Sequence, residues 1–141
     1  MTDYQAFEDA LIEDMRAHDG QVTTGPLAGH PLLVLRSRGA KSGEERRAIL
    51  TYHRDGDDYL VAGTASGSPT TPAWVHNVGE QPEVSIETEN RTFKANATVI
   101  AEGPERDRLW EGHVALLPWF AGYPAQSGRL IPMVRLTPVA A

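Results

Sequence analysis

Lys41-Ser42-Gly43, followed by Arg46, is the segment of this 141-residue sequence where residue type and spacing most readily do chemistry. An ammonium, a hydroxyl and a permissive glycine backbone share one turn. A guanidinium opening the next strand can point back at them. Together these groups can hold a phosphate or carboxylate by charge-assisted hydrogen bonds. The charge distribution agrees. Residues 36–47 carry five bases against two acids, and residues 1–19 carry six acids against one base, in a chain of net charge −6. A basic cluster inside an acidic protein points to a local anion site more than to a polyanion surface. A solvated hairpin with arginines on its strands would have the same composition.

Other chemistries find less support. The sequence has no cysteine, so a disulfide framework, a thiolate metal site and a cysteine nucleophile are all excluded. The five histidines (His18, His30, His53, His76, His113) make no two-histidine helical pair, and no metal site is expected. No serine sits in a nucleophile elbow, and neither a P-loop nor a dinucleotide glycine fingerprint occurs. An acidic balance argues against binding nucleic acid. The longest apolar runs, such as Pro31 to Leu35, are too short to span a bilayer. The opening Met1-Thr2-Asp3-Tyr4 does not read as a signal peptide, so a cytoplasmic protein is expected.

The elements that must position the turn follow from periodicity. Tyr4, Phe7, Leu11, Met15 and His18 recur at steps of three and four, which predicts an amphipathic helix ended by Gly20. Residues 25–31 read as a linker. Strands are expected over Leu32–Ser37, Arg46–Arg54 and Tyr59–Thr64, with the Asp55-Gly56 turn between the last two, forming a meander. Pro72 opens a short helix carrying Trp74, Val75 and Val78. Strands follow over Glu83–Glu87 and Arg91–Ala101, the second with Phe93, Ala95, Ala97 and Val99 on one face. A helix over Pro104–Leu117, an aromatic-rich segment over Pro118–Ser127 and a strand over Ile131–Leu136 complete the chain. About six strands with helices around them argue for an α+β antiparallel barrel with peripheral helices. Residues 1–24 form an N-terminal helix and linker, and residues 25–141 the barrel domain.

Two further features bear on a site. The strand end Gly63-Thr64-Ala65-Ser66-Gly67 has residues small enough for a flat ligand to approach the backbone. Trp74 and Asn77 share a helical face, where a tryptophan is core by default. Leu117, Trp119, Phe120 and Tyr123 are either core or the lining of an apolar pocket with a polar tip.

Taken in order, the motifs resemble the deazaflavin-dependent (coenzyme F420) nitroreductase family. They are Gly39 to Gly43 with Arg46, Arg54-Asp55-Gly56, Ala62 to Gly67, Pro72-Ala73-Trp74 with Asn77, Gln81-Pro82 and Ile131-Pro132. The resemblance covers residues 31–138. It implies a split β-barrel that passes a hydride from reduced F420 to an electron-poor quinone, conjugated enone or lactone, or nitroaromatic. It also implies residue roles. Lys41, Ser42 and Arg46 would hold the cofactor's phosphate and acidic tail. Ala48, Ile49, Leu50 and Thr51 would run beside the deazaflavin ring, faced by Ala62, Gly63 and Thr64. Ala73, Trp74 and Asn77 would close over the cofactor, and Tyr123 would stand near the acceptor. Ala40 and Ala65 replace basic residues of some members, which implies fewer tail contacts, offset by Arg47 or Arg38. Leu117 and Phe120 replace tyrosines of the nitroimidazole-activating members, which favours a more apolar acceptor.

The proton that completes reduction would come from Tyr123, Thr64, Ser66 or a water. Phe7, Leu11 and Met15 of the N-terminal helix would cap the acceptor pocket. Its excess of acids opposes docking on anionic lipid, so no membrane insertion is expected. A small-molecule acceptor is the expected partner, and the protein is expected as a monomer or homodimer. An FMN-binding split-barrel oxidoreductase and a non-catalytic carrier of a small anionic or apolar ligand remain the competing readings.

Overall fold

Helix α1 spans Thr2–Ala17, and seven strands follow: β1 Leu32–Arg38, β2 Glu45–Thr51, β3 His53–Asp55, β4 Asp58–Ala62, β5 Glu83–Thr88, β6 Arg91–Ile100 and β7 Met133–Pro138. Helix α2, Ala73–Glu80, lies between β4 and β5. Between β6 and β7 run α3, Pro104–Leu116, a 3₁₀ turn, Pro118–Gly122, and α4, Tyr123–Ser127. This computed structural model describes residues 2–18, 23, 28–64, 67 and 69–139, with side chains from residue 8 onward. Gly20, residues 25–27, Ala65, Ser66 and the side chains of Tyr4 and Phe7 fall outside the described set.

All strands join one antiparallel sheet in the order β2-β1-β5-β6-β7-β4-β3, curled into a half-barrel with helices around it. The single strand expected over Arg46–Arg54 is two strands. β2 pairs with β1, placing Thr51 opposite Leu32, and β3 pairs with β4, placing His53 opposite Leu60. Tyr52 is the residue between, so the two edges of the sheet are consecutive in sequence. The expected three-strand meander is therefore replaced by two hairpins at opposite edges. Tyr52 and His53 are both buried, one on each side of this break between the two strands. Tyr52 turns inward onto Tyr59, ring centroids 5.2 Å apart, and donates its hydroxyl proton to Glu89 at 3.1 Å. The β5–β6 turn is a two-residue loop whose Glu89 and Asn90 both have positive φ, 51° and 60°, as a type I′ hairpin demands.

Alternation sorts the core. Leu33, Leu35, Tyr59, Val61, Val134 and Leu136 point into the barrel with Val75 and Val78 of α2. The residues between them face outward and are covered: Leu60, Ala62 and Met133 by Leu109, Leu117 and Phe120, and Leu32 and Val34 by Ile12 and Met15 of α1. β1, β4 and β7 are thus buried on both faces, which is why Leu32–Leu35 reads as an unbroken apolar run. On β6 the expected face of Phe93, Ala95, Ala97 and Val99 turns inward, and Thr92, Lys94, Asn96 and Thr98 are exposed. The inward stripe of α1 is Glu8, Ile12 and Met15, with His18 exposed, so the face is rotated from the expected one. The cause is an ion pair: Arg47 Nε donates to Glu8 at 3.0 Å and draws that carboxylate inward.

Gly63 follows β4 directly, and its amide donates to the Pro132 carbonyl at 3.0 Å. A Cβ there would meet Val75 Cγ2 at 2.8 Å and Pro132 Cγ at 3.1 Å. The glycine is needed for packing of the barrel interior. Both neighbours are stiff, one β-branched and one a ring. Gly63→Ala is expected to destabilise the fold by about 1–3 kcal/mol, the usual cost of an overpacked core, read as a lowered denaturation midpoint at unchanged slope.

Candidate functional site

A cavity of about 580 Å³ opens between β2, the end of β4, the start of α2 and the aromatic segment after α3. This is an ordinary volume for a small-molecule site. One wall is β2, from Arg46 to Thr51. Opposite stand Ala62 and Thr64. The start of α2 contributes Pro72, Ala73, Trp74 and Asn77, and the aromatic segment contributes Trp119, Phe120 and Tyr123. Glu8 and Leu32 complete the lining.

Twelve residues named from the sequence line this one space: Arg46, Ala48, Ile49, Leu50, Thr51, Ala62, Thr64, Ala73, Trp74, Asn77, Phe120 and Tyr123. Others do not. Lys41 and Ser42 are exposed in the neighbouring turn, outside the cavity wall. Gly63 is turned toward Val75 and Pro132. Leu11 and Met15 pack on the cluster around Leu32 and Val34, and Leu117 is fully buried beside Leu109 and Ile131. Met15 and Leu117 belong to the core and Leu11 packs half-buried against it, and none of the three lines the cavity. The side chain of Phe7 lies outside the described residues.

The turn at Gly39–Gly43 is held from several directions. Gly39 donates to the Glu44 carbonyl at 2.8 Å, and Gly43, at φ 72°, donates to the Gly39 carbonyl at 2.9 Å. Helix α2 reaches across to it. Asn77 Oδ1 accepts from the Ala40 amide at 3.0 Å, and Gln81 Nε2 donates to the Gly39 carbonyl at 3.3 Å. A Cβ on Gly39 would lie 2.8 Å from Ser42 Oγ, so glycine lets the hydroxyl fold over its own turn. Asn77 therefore lines the cavity and braces the basic turn at once.

The arginines around the turn differ sharply in what they hold. Arg38 donates to the Gly43 carbonyl at 3.1 Å, and Arg36 pairs with Glu87 at 3.1 Å. Arg47 grips Glu8 at 3.0 Å and Asp9 at 2.8 Å, and both carboxylates push its ionisation upward, Asp9 most. Arg38 and Arg47 thus each hold part of the fold, and Arg47 lines the cavity as well. Arg46 keeps only a 3.6 Å approach to Glu44, with its side chain 53% exposed. Its neighbour Lys41 forms no ion pair among the described residues. These two cations are the least engaged of the basic cluster among the described residues.

At the other side, Arg129 Nη2 donates to the carbonyls of Gly63 at 2.9 Å and Thr64 at 3.0 Å, which fixes the end of β4 as it enters the cavity wall. Thr64 is buried, and Tyr123 is half-buried with its ring edge-on to Phe120 at 5.2 Å. Both residues line the cavity, and Ser66 is outside the described residues. No group of three or more metal-ligating side chains occurs among the described residues.

Sequence reasoning missed Glu8, Leu32 and Pro72 as lining, while Trp119, read as either core or pocket lining, and Arg47, read as a tail contact, both line the cavity. Pro72 adjoins a named residue and was within reach. Glu8 was not, because a carboxylate turns inward only when a partner 39 residues away is there to receive it.

A model of the F420H(2)-dependent quinone reductase family matches residues 10–138. An F420H(2)-dependent quinone reductase of Mycobacterium tuberculosis is 33% identical over 136 residues, covering 89% of this chain and 91% of its own. A solved F420-H2-dependent reductase superposes with TM-score 0.68 at 30% identity, over 75% of this chain and 93% of that one. A structure described as a domain-swapped dimer gives TM-score 0.70 at 26% identity, over 96% and 98%. With a half-barrel, a cavity between β2 and β4, and a family match running from α1 into β7, the chain belongs to the F420H(2)-dependent quinone reductases, oxidoreductases whose cofactor is coenzyme F420.

Proposed function

We propose that this protein reduces a quinone, with the cofactor seated between β2 and the Ala62–Thr64 strand end and the acceptor against Trp119, Phe120 and Tyr123. The observation that carries this reading is the mixed lining of one cavity, which brings a lightly engaged guanidinium, small side chains and an aromatic cluster to a single space. A long anionic cofactor with a flat ring needs all of these, and the small side chains of Ala48 and Ala62 leave room for the ring between them.

The bound deazaflavin supplies the hydride. The chain's own residues do the rest. Arg46, with Lys41 beyond the rim, holds the anionic tail. The β2 backbone and Trp74 fix the plane and exclude water. The hydroxyl of Tyr123 or Thr64 delivers a proton to the reduced acceptor oxygen. Trp119 and Phe120 offer apolar faces and no ion, which favours a quinone over a charged acceptor. Conjugated enones and nitroaromatics share the electron-poor, flat character and are the alternatives within the same mechanism.

The test is titration of purified protein with F420H2, followed by turnover with a panel of quinones, enones and nitroaromatics. Fluorescence quenching with micromolar affinity (about −8 kcal/mol) and fastest turnover on quinones is the expected result. A protein isolated yellow with FMN, or one that binds F420H2 and reduces nothing in the panel, would refute it.

A further inference from the structure

Behind the aromatic end of the cavity, two histidines meet that no sequence spacing brings together. His53 Nδ1 and His113 Nδ1 lie 2.8 Å apart, with the rings tilted by 62°. His113 is wholly buried and His53 nearly so. A single hydrogen bond at this position requires one ring to donate and the other to accept, so the pair is stable with both imidazoles neutral. Nε2 of His113 has no hydrogen-bond partner.

The sequence makes room for the pair. Gly112 stands inside α3, where glycine costs about 1 kcal/mol against alanine. A Cβ on it would lie 3.1 Å from His53 Nε2. The glycine thus admits an imidazole from β3 against the helix. The other face of the pair meets the cavity wall. His113 packs edge-to-face on Phe120, centroids 4.6 Å apart and planes at 87°, the shortest of the four ring contacts Phe120 makes. Of those partners, Trp119 and Tyr123 share the cavity lining with Phe120, whereas His113 lies behind it.

We propose that the His53–His113 pair is a positioning device for the acceptor site, fixing the ring of Phe120 and through it the width of the aromatic end of the cavity. Neither histidine touches the acceptor. The hydrogen bond fixes the orientation of His113, and His113 fixes Phe120 by filling the space behind it. A leucine or alanine at 113 would pack without directional restraint, leaving Phe120 free to turn. The proposal rests on the acceptor lying against Phe120, as stated above.

The experiment is a double-mutant cycle in the full chain, using His113→Ala, Phe120→Leu and both together, with menadione as the probe. Acceptor binding is read by quenching of the fluorescence of cavity-lining Trp74 and Trp119, and acceptor KM by turnover with F420H2. His113→Ala is expected to weaken menadione binding and raise its KM about tenfold. Its F420H2 affinity and kcat should stay within about twofold. The double variant should be no worse than Phe120→Leu alone, because one residue acts through the other. If His113→Ala does not fold, Gly112→Ala carries the same test. It leaves both histidines in place but presses on His53, and should raise the menadione KM in the same direction by a smaller factor. Additive effects in the cycle, an equal loss of F420H2 affinity, or unchanged menadione binding would each overturn the proposal. Wild-type protein that binds menadione without reducing it refutes the functional reading and leaves this test intact, since binding is read without turnover.

Discussion

Arg46→Ala is expected to weaken F420H2 binding by about ten- to a hundredfold and to leave the denaturation midpoint unmoved. A hydrogen bond to a charged group contributes about 1.5–3 kcal/mol, and that is the scale of the loss on binding. The folded protein loses little, because the only ionic neighbour of Arg46 among the described residues is Glu44 at 3.6 Å on an exposed surface, a pair worth about 0–1 kcal/mol. Adding Lys41→Ala should deepen the binding defect while stability again stays level. The neighbouring Arg47 supplies the control. It also lines the cavity, but its guanidinium holds Glu8 and Asp9 and so anchors α1. Arg47→Ala leaves Glu8 buried without its ion-pair partner and should lower stability first. Fluorescence titration paired with thermal melts separates the two outcomes. Equal losses of binding and stability in Arg46→Ala would mean that this arginine is structural too.

Acid should destabilise the protein earlier than its carboxylates can explain. Burial, and then the neighbouring His53, push the His113 imidazole down to about 3 from 6.5. Burial also lowers His53, helped by Arg108 and Arg135 and opposed by Asp55. The unfolded chain takes up a proton on each ring as the pH falls through 6.5, and the folded chain takes it up only at lower pH. Stability is therefore full above pH 6.5 and falls as the pH drops toward the folded value. His113 alone accounts for about 2.5 kcal/mol between pH 7 and pH 4.5, at about 1.4 kcal/mol per unit. The carboxylates held low by their partners, Asp14 by Thr23, Asp55 by Arg108 and Arg135, and Glu87 by Arg16 and Arg36, act the same way in a lower window, since their unfolded values are 3.8 and 4.5. Urea midpoints measured at pH 7, 6, 5 and 4.5 should fall steadily, and His113→Asn should flatten the upper part of that curve. A wild-type curve level from pH 7 to pH 5 would show that the pair accepts protons in the fold.

What the sequence made legible was local. Alternation placed β1, β5, β6 and β7 within a residue or two, and glycine and asparagine marked the turns. The cavity-lining residues over 48–51, at 62 and 64, and at 73, 74 and 77 followed from motif resemblance and would not have followed from periodicity. What stayed hidden depended on partners distant in sequence. The alternation of Arg46–Arg54 runs on through Tyr52, and only pairing with β1 on one side and β4 on the other breaks it. Five arginines and lysines near the turn look alike as letters. Which of them are spent is decided by Glu8, Asp9, Glu87 and the Gly43 carbonyl. Gly63 reads as an open approach for a ligand until Val75 and Pro132 are seen against it. His53 and His113, 60 positions apart, carry no spacing signal at all.

The place of β7 in the sheet sets the order in which the chain can be assembled. It is the last strand in sequence and lies between β6 and β4. Before it is made, β2-β1-β5-β6 and β4-β3 are two separate ribbons with no hydrogen-bonded strand to join them. Each has an open edge, and the apolar faces of Leu60 and Val61 lack the neighbours that bury them. During synthesis the cavity walls at β2 and at the end of β4 therefore belong to different pieces until residues 133–138 are available. Long-range closures of this kind are slow and leave unpaired edges exposed to other chains meanwhile. A nascent chain stalled ahead of Met133 should bind no cofactor and be readily cleaved by protease, whereas the released chain should bind cofactor and resist cleavage.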